Sequence, residues 1–440
     1  MEREQVVNTL IISTNGVRKN RPDGITNVIF DSKRGLQGRT ILDDKAMVVE
    51  VGGPRIPDKE NNIADFTLGR RKIVPKMNGT HFEASILYTG KPRARKFLEE
   101  KDPDLVVVHN PLAGNVMHSL MSADKEGKIC FVGYFHAYTE TLDMKSQALY
   151  LLSRLRRPTF NNSTLVGLTQ GFKNTIDGRL DGRVAVSRAA GKFWDTLLPG
   201  NYEIIYNGID TNRFKLGEIK EESRQNGKKT IFAAARFDER KGLDVLLQAA
   251  SILVYDYNMT DIRFRVAGDG KKKDELKALR SQLRLEDYVE FLGFLSPEDL
   301  DEEYKNADVF TSPVLGGEAF GLTLGEAMAS GTLVVGSNVA GYNEVIGGDL
   351  PFAWMTKPGD PKDVADNLKS VLDLDPQERI NRGKLARQYV EENFSLSKNI
   401  TKQADYYDRC LRARSAEVVG SQRKYLTSPV IPSEGDVYVR

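Results

Sequence analysis

Short runs of branched apolar residues recur along this chain, at 6–13, 46–51, 105–108, 129–135, 182–187 and 202–205, and again at 230–235, 262–267, 289–292, 307–313 and 332–337. Each has the length of a strand. Between several of them the apolar residues fall at helical spacing, most plainly over 92–100, 243–253 and 322–330, and further helical stretches follow Pro361. Apolar strands alternating with helices predict a parallel, doubly wound sheet, so both halves read as the α/β class. Residues 52–73 are turn-rich and show no clear order, and 149–155 read as a short apolar helix. An Asn207-Gly208 turn followed by the polar run 217–229 separates the halves. The expected organisation is a first domain over 1–206, a connection over 207–220 and a second domain over 221–395. The polar, proline-containing stretch 414–440 is expected to be disordered.

The stretch richest in chemistry is 314–331, VLGGEAFGLTLGEAMASG. A strand stopped by Pro313 leads into Gly316-Gly317, then into a helix from Leu322 that Gly331 is placed to stop. A helix start presents free N–H groups and a partial positive charge, so the amides around Phe320, Gly321 and Leu322 suit an anion, most naturally phosphate. Glu318 and Glu326 bracket that site. A carboxylate is repelled by phosphate, so the pair is better suited to accept hydrogen bonds from hydroxyls. A ligand with hydroxyls on both sides of a diphosphate is a nucleotide sugar. Taken alone the two glutamates read better as an ordinary loop residue and a solvated helix position; the surrounding glycines, the small residues and the helix start tip the balance toward a ligand.

Two further loops follow strands in the same manner. Arg236 and Lys241, five residues apart after the 230–235 run, suit a diphosphate, with a solvated basic turn as the plain alternative. Gly268-Asp269-Gly270 repeats the strand and glycine-loop arrangement, and Gly293-Phe294 follows the next strand. In the first half Gly24 opens a helix-like segment after the first strand, either as a second diphosphate contact or as a plain turn. Of four histidines, His109 and His136 stand at the carboxyl ends of strands, which face the ligand crevice of such sheets.

Composition narrows the function classes. Apolar residues make up 40% and charged residues 28%, and a net charge of +2 gives no reason to expect a nucleic-acid partner. Two cysteines make neither a disulfide framework nor a zinc site, which fits a reducing cytoplasm. The first residues lack a signal-peptide core, and no run approaches the roughly 20 apolar residues that span a bilayer. Neither GxSxG, HExxH nor Walker A occurs, so hydrolase, zincin and P-loop readings have no support. The pairs Asp102/Asp104 and Asp373/Asp375 lie in loop-like contexts, and Arg236 with Lys241 already answers a diphosphate, so no catalytic metal is expected. The cations Lys91, Arg93, Arg95 and Lys96 are either an ordinary solvated face or a patch for anionic lipid.

The segment GEAFGL at 317–322, with EAMA at 326–329, resembles the E-x7-E signature of retaining GT-B glycosyltransferases of family four. Arg236 and Lys241 match the family's [GA]-R-x4-K-G pattern, Asn207-Gly208-Ile209-Asp210 its interdomain turn, and VVHNP at 107–111 with YFHA at 134–137 its phosphatidylinositol mannosyltransferase branch. The resemblance implies two Rossmann-like domains facing a cleft, with a helix at 396–413 crossing back to the first. It implies Glu318 at the donor sugar's hydroxyls, Glu326 on the ribose and Gly317, Phe320, Gly321 and Leu322 around sugar and phosphate. It further places Arg236 and Lys241 on the leaving diphosphate, and His136 near the reacting carbon. Of the family's paired glycines after the first strand, only Gly24 carries over. The expected activity is retaining transfer of a hexose from a nucleoside-diphosphate sugar, GDP-mannose or a UDP-sugar, without cofactor or metal. The acceptor is a hydroxyl, a membrane lipid being one candidate, which would make the protein cytoplasmic and peripheral on the inner face of the plasma membrane. The alternatives are a GT-B protein that binds nucleotide sugar without transferring it, and a nucleotide-sugar epimerase.

Overall fold

A computed structural model of the chain describes residues 9–13, 47–51, 66–68, 91–109, 120–136, 176, 178–196, 198–217 and 228–420. The chain divides into two compact units, one formed by Met1–Tyr206 with Ser397–Arg440 and the other by Asn207–Leu396.

The first unit carries an all-parallel seven-stranded sheet of β1 (Thr9–Ser13), β2 (Met47–Val51), β3 (Phe66–Leu68), β4 (Leu105–His109), β5 (Cys130–Phe135), β6 (Gly182–Ala185) and β7 (Glu203–Ile204), in the order β3-β2-β1-β4-β5-β6-β7. Every residue of β4 and β5 is buried, which is why LVVVH and CFVGYF are continuous runs rather than alternating ones: a central parallel strand is covered on both faces. Helix α1 (Lys91–Lys101) buries Phe97 and Leu98 and exposes Arg95, Lys96, Glu99 and Glu100. The run expected to be a strand to Ser187 ends at Ala185. Ser187 instead caps α2 (Arg188–Asp195), its Oγ accepting from the Ala190 N–H at 3.0 Å, a hydroxyl's usual use at a helix start.

In the second unit six parallel strands, β8 (Lys229–Ala234), β9 (Ile262–Ala267), β10 (Val289–Gly293), β11 (Val309–Ser312), β12 (Leu333–Ser337) and β13 (Ala353–Thr356), lie in the order β10-β9-β8-β11-β12-β13. Helices α3 (Leu243–Ser251), α4 (Lys273–Gln282), α5 (Pro297–Asn306), α6 (Leu322–Ala329), α7 (Ala340–Ile346), α8 (Pro361–Leu372) and α9 (Pro376–Asn393) complete it. Its core centres on Phe232, Tyr304 and Phe310, with ring centroids 5.3 to 5.8 Å apart. Burial of each such side chain contributes roughly 1.5–3 kcal/mol.

Two sequence expectations need correction. Residues 207–217 are not a free connection. The N–H of Ile209 bonds to Phe394 O and the N–H of Leu396 to Ile209 O, and buried Ile209 also meets Gly325, so this segment is part of the second unit. The tail does not begin at 414 either. The last helix, α10 (Leu396–Gly420), runs past it, and Arg414 is buried and paired with Asp181 at 3.2 Å. Residues 421–440, 218–227, 149–155 and Gly24 lie outside the described residues.

Candidate active site

Strand order fixes where a ligand meets the second unit. The chain leaves β8 toward one edge of the sheet and β11 toward the other, so the crevice at their carboxyl ends is a topological switch point. The loop after β8 brings Arg236, Arg240 and Lys241; the loop after β11 brings Gly316, Gly317 and Glu318.

These loops meet through one carboxylate. Lys241 Nζ lies 2.5 Å from Glu318 Oε1, and Arg240 Nη1 bonds to the same oxygen. Arg240 also donates to the carbonyls of Gly317 (2.9 Å) and Gly316 (3.3 Å), while its own carbonyl accepts from the Leu315 N–H at 2.8 Å. All three charged side chains are only 16% exposed, so the cluster is a built feature and not a surface ion pair. Burial alone would raise the Glu318 carboxyl, but Lys241 and Arg240 overcome it and hold the group below its ordinary value. Lys241 is pulled down by burial and by Arg240, against the opposing pull of Glu318. Arg236 stands apart, its side chain 54% exposed and 3.6 Å from Asp238 Oδ2.

Helix α6 starts at Gly321, whose φ of 122° and lack of a side-chain cap leave the first turn's N–H groups to whatever binds there. Phe320 is buried against Phe394 and supports this turn, with Leu322 beside it half-buried. Helix α7 approaches so closely that a Cβ on Gly341 would lie 1.9 Å from Glu318 O, which pins the backbone of the glutamate. Glu326, one face along α6, accepts from the Tyr304 hydroxyl at 2.9 Å; burial raises its carboxyl, partly offset by that bond and by Arg213. Gly268, after β9, has φ 127° and sits against the β8 loop: a Cβ there would fall 1.8 Å from Ala235 O.

His136 lies in the first unit, at the end of β5. The register sets His109 of β4 opposite Tyr134, so His109, Tyr134 and His136 share one face of the sheet. His109 Nδ1 and His136 Nε2 are 2.7 Å apart and both rings are buried. Burial lowers His136 to about 3 and takes His109 well below its ordinary value.

Sequence reasoning thus named Glu318 and Lys241, which the structure brings together, and Arg236, which it leaves outside their pairing. It missed Arg240, because three cations crowd one short loop and spacing does not say which faces the carboxylate. It also missed Tyr304, a core aromatic whose hydroxyl reaches Glu326. Among the described residues no group of three or more His, Cys, Asp or Glu is arranged to hold a metal ion, and no helix is long and apolar enough to cross a membrane.

Two parallel sheets in Rossmann order, with Glu318 before a glycine-started helix at a switch point and Glu326 on that helix, have the architecture of a GT-B glycosyltransferase. Residues 22–213 match the family described as Glycosyltransferase Family 4 and residues 216–389 that described as Glycosyl transferases group 1, and the chain belongs to the glycosyltransferases that join these two domains. It is 29% identical to the phosphatidyl-myo-inositol mannosyltransferase of Mycolicibacterium smegmatis, over 81% of this chain and 85% of the relative. With the Mycobacterium leprae protein of the same name it shares 27%, over 78% and 85%. Among solved structures, HepE of Anabaena in complex with UDP aligns at a TM-score of 0.66 and 18% identity, covering 91% of this chain and 100% of that one. Sucrose-phosphate synthase of Thermosynechococcus elongatus aligns at 0.67 and 17%, covering 92% and 100%.

Proposed function

We propose that the chain is a retaining hexosyltransferase that moves a mannose- or glucose-type sugar from GDP-mannose or a UDP-sugar to a hydroxyl of a phosphatidylinositol-like membrane lipid. The carrying observation is the Glu318 carboxylate held by Lys241 and Arg240 at the β8/β11 switch point. A carboxylate on these cations occupies the kind of place an anionic ligand would take. An arriving diphosphate therefore competes for Lys241, and each oxygen it places there frees Glu318 to accept from sugar hydroxyls. Arg236 at the mouth adds the second charge on the leaving group, so neutralisation needs no metal. Gly268 and the amides of Gly317, Phe320, Gly321 and Leu322 line the phosphate side, and Glu326 takes the ribose. His136 is assigned to the sugar near its reacting carbon, and Gly24 to the diphosphate.

In this reading the acceptor hydroxyl approaches the carbon from the face that the diphosphate leaves. A bond to the acceptor oxygen forms as the bond to the diphosphate oxygen breaks, and the acceptor's proton passes to the departing phosphate. The names of the mycobacterial relatives supply the mannose and inositol-lipid choice; the UDP and glucose named for HepE keep the base and the hexose open. The test uses GDP-mannose and UDP-glucose carrying label in the sugar, with vesicles containing phosphatidylinositol. Labelled lipid with the donor's anomeric configuration is expected. Inverted product, epimerised free sugar or no turnover with any donor overturns the reading.

A further inference from the structure

Helix α5 sets Asp301 and Tyr304, three residues apart, on one face. Asp301 takes Arg213, with guanidinium nitrogens 2.8 to 3.1 Å from its carboxylate oxygens, and Arg213 also donates to Pro297 O at 3.1 Å. Tyr304 is fully buried. Its ring centroid lies 5.3 Å from those of Phe232 and Phe310 and 5.9 Å from that of Phe214, and its backbone carbonyl accepts from Thr332 Oγ1 at 2.5 Å. Ring and backbone together fix the hydroxyl oxygen in space, and that hydroxyl donates to Glu326 Oε2 at 2.9 Å. A buried phenol needs an acceptor, but a carboxylate is a costly one to supply where burial already raises it.

We propose that Tyr304 is a positioning residue: its hydroxyl holds one oxygen of Glu326 and fixes the rotamer, so that the carboxylate meets the ribose hydroxyls already oriented. The ribose role of Glu326 rests on the transfer reading above. An ionised carboxylate only accepts, at about four lone-pair sites, so one bond from Tyr304 leaves room for two hydroxyls. Burial pushes the Glu326 carboxyl up and Asp301 adds to that, whereas the Tyr304 bond and Arg213 act against it. The donor that orients the group therefore also favours its charged form. The phenol itself is pushed well above its ordinary value and stays a donor. A side chain ordered before the ligand arrives loses less freedom when it binds.

The test asks whether Tyr304 and the ribose hydroxyls are energetically coupled, which packing alone would not produce. Calorimetry compares GDP and UDP on the full chain, then sets the tighter of the two against its 2′-deoxy and 3′-deoxy forms. The parent is expected to favour the ribonucleotide over at least one deoxy form by about 10-fold or more, the scale of hydrogen bonds to a charged group. In Tyr304→Phe, which keeps the ring, that preference should shrink by about 3-fold or more, as for partners in one hydrogen-bond network. Phe232→Leu loosens the packing around the ring and keeps the hydroxyl, so it should lower the melting temperature and retain the parent's preference. Each protein is measured below the onset of its own unfolding. An undiminished preference in Tyr304→Phe, or an equal loss in Phe232→Leu, overturns the proposal and leaves the ribose role of Glu326 standing. A parent that binds neither nucleotide, or binds ribo and deoxy forms alike, overturns that role and the proposal with it.

Discussion

At the scale of residues the unusual group is Glu318, a carboxylate with two cations on one oxygen and little water around it. Removing one partner of a buried charge cluster leaves the others short of compensation, so its residues carry stability and chemistry together. Lys241→Met is expected to cost about 3 kcal/mol in barrier, some two orders of magnitude in turnover, as when one preorganised group at a charge-developing centre is lost. It should also lower the melting temperature, because Glu318 keeps only Arg240. Arg236→Gln should lower turnover while leaving the melting temperature nearly in place, since that side chain is 54% exposed and its ion pair with Asp238, at 3.6 Å, is of the weak surface kind. Steady-state rates and thermal unfolding on the two variants check this; near-normal turnover in Lys241→Met would remove Lys241 from the diphosphate.

Among elements, legibility followed burial. β4, β5 and β12 were readable because a strand covered on both faces is buried along its whole length, and β9, IRFRVA, by the alternation of buried apolar residues with half-buried arginines at its start. β3 escaped because three residues, FTL, carry no periodicity, and the four-residue β13 is little better. α4, KDELKALRSQ, buries only Leu276, so its polar surface hid it. α5 did leave a signal that went unused: Ser296 accepts from the Asp299 N–H at 3.1 Å, with Pro297 at the first turn, a start pattern visible in Ser-Pro-Glu-Asp. In the site, Glu318 and Glu326 were legible from spacing around glycines, whereas Arg240 and the His109–His136 bond depend on which loops and strand ends face each other, a property of sheet order. The glycine loops give a test at this scale. Gly268→Ala puts a side chain at φ 127° and 1.8 Å from Ala235 O. The conformation alone costs on the order of 1 kcal/mol or more, and the clash pushes the β8 and β9 loops apart. Urea unfolding should show lower stability, and calorimetry weaker binding of nucleoside diphosphate; unchanged values in both would mean that the loops do not depend on this approach.

At the scale of the whole molecule, the chain leaves the first unit at Tyr206 and returns to it at Ser397, where α10 closes the unit with buried Tyr406, Tyr407 and Cys410 and the Arg414–Asp181 pair. The last described helix is thus part of the unit that carries His136. The same unit carries α1, the candidate membrane face, and here the structure reshapes the expectation. Arg95 pairs with Glu99 at 2.7 Å and Lys96 with Glu100 at 3.7 Å, so two of the four cations are already matched on their own helix. Exposed pairs of this kind are weak and screened by salt, roughly 0.3–0.5 kcal/mol each. An anionic surface can therefore compete for their cations, and helix 91–101 still holds five cations against two carboxylates. Attraction of about 1 kcal/mol per cation near the lipid would suffice to hold the protein there at low ionic strength. Flotation with phosphatidylinositol-containing vesicles should succeed at low salt and fail with neutral vesicles. It should weaken as salt shortens the screening length to roughly 8 Å at physiological strength. Replacing Lys91, Arg93, Arg95 and Lys96 by Gln should abolish flotation yet leave nucleotide binding in the second unit unchanged. Replacing Glu99 and Glu100 by Gln should strengthen it, because it frees the matched cations. Indifference to both charge changes would remove the membrane face and leave the transferase to meet its acceptor elsewhere.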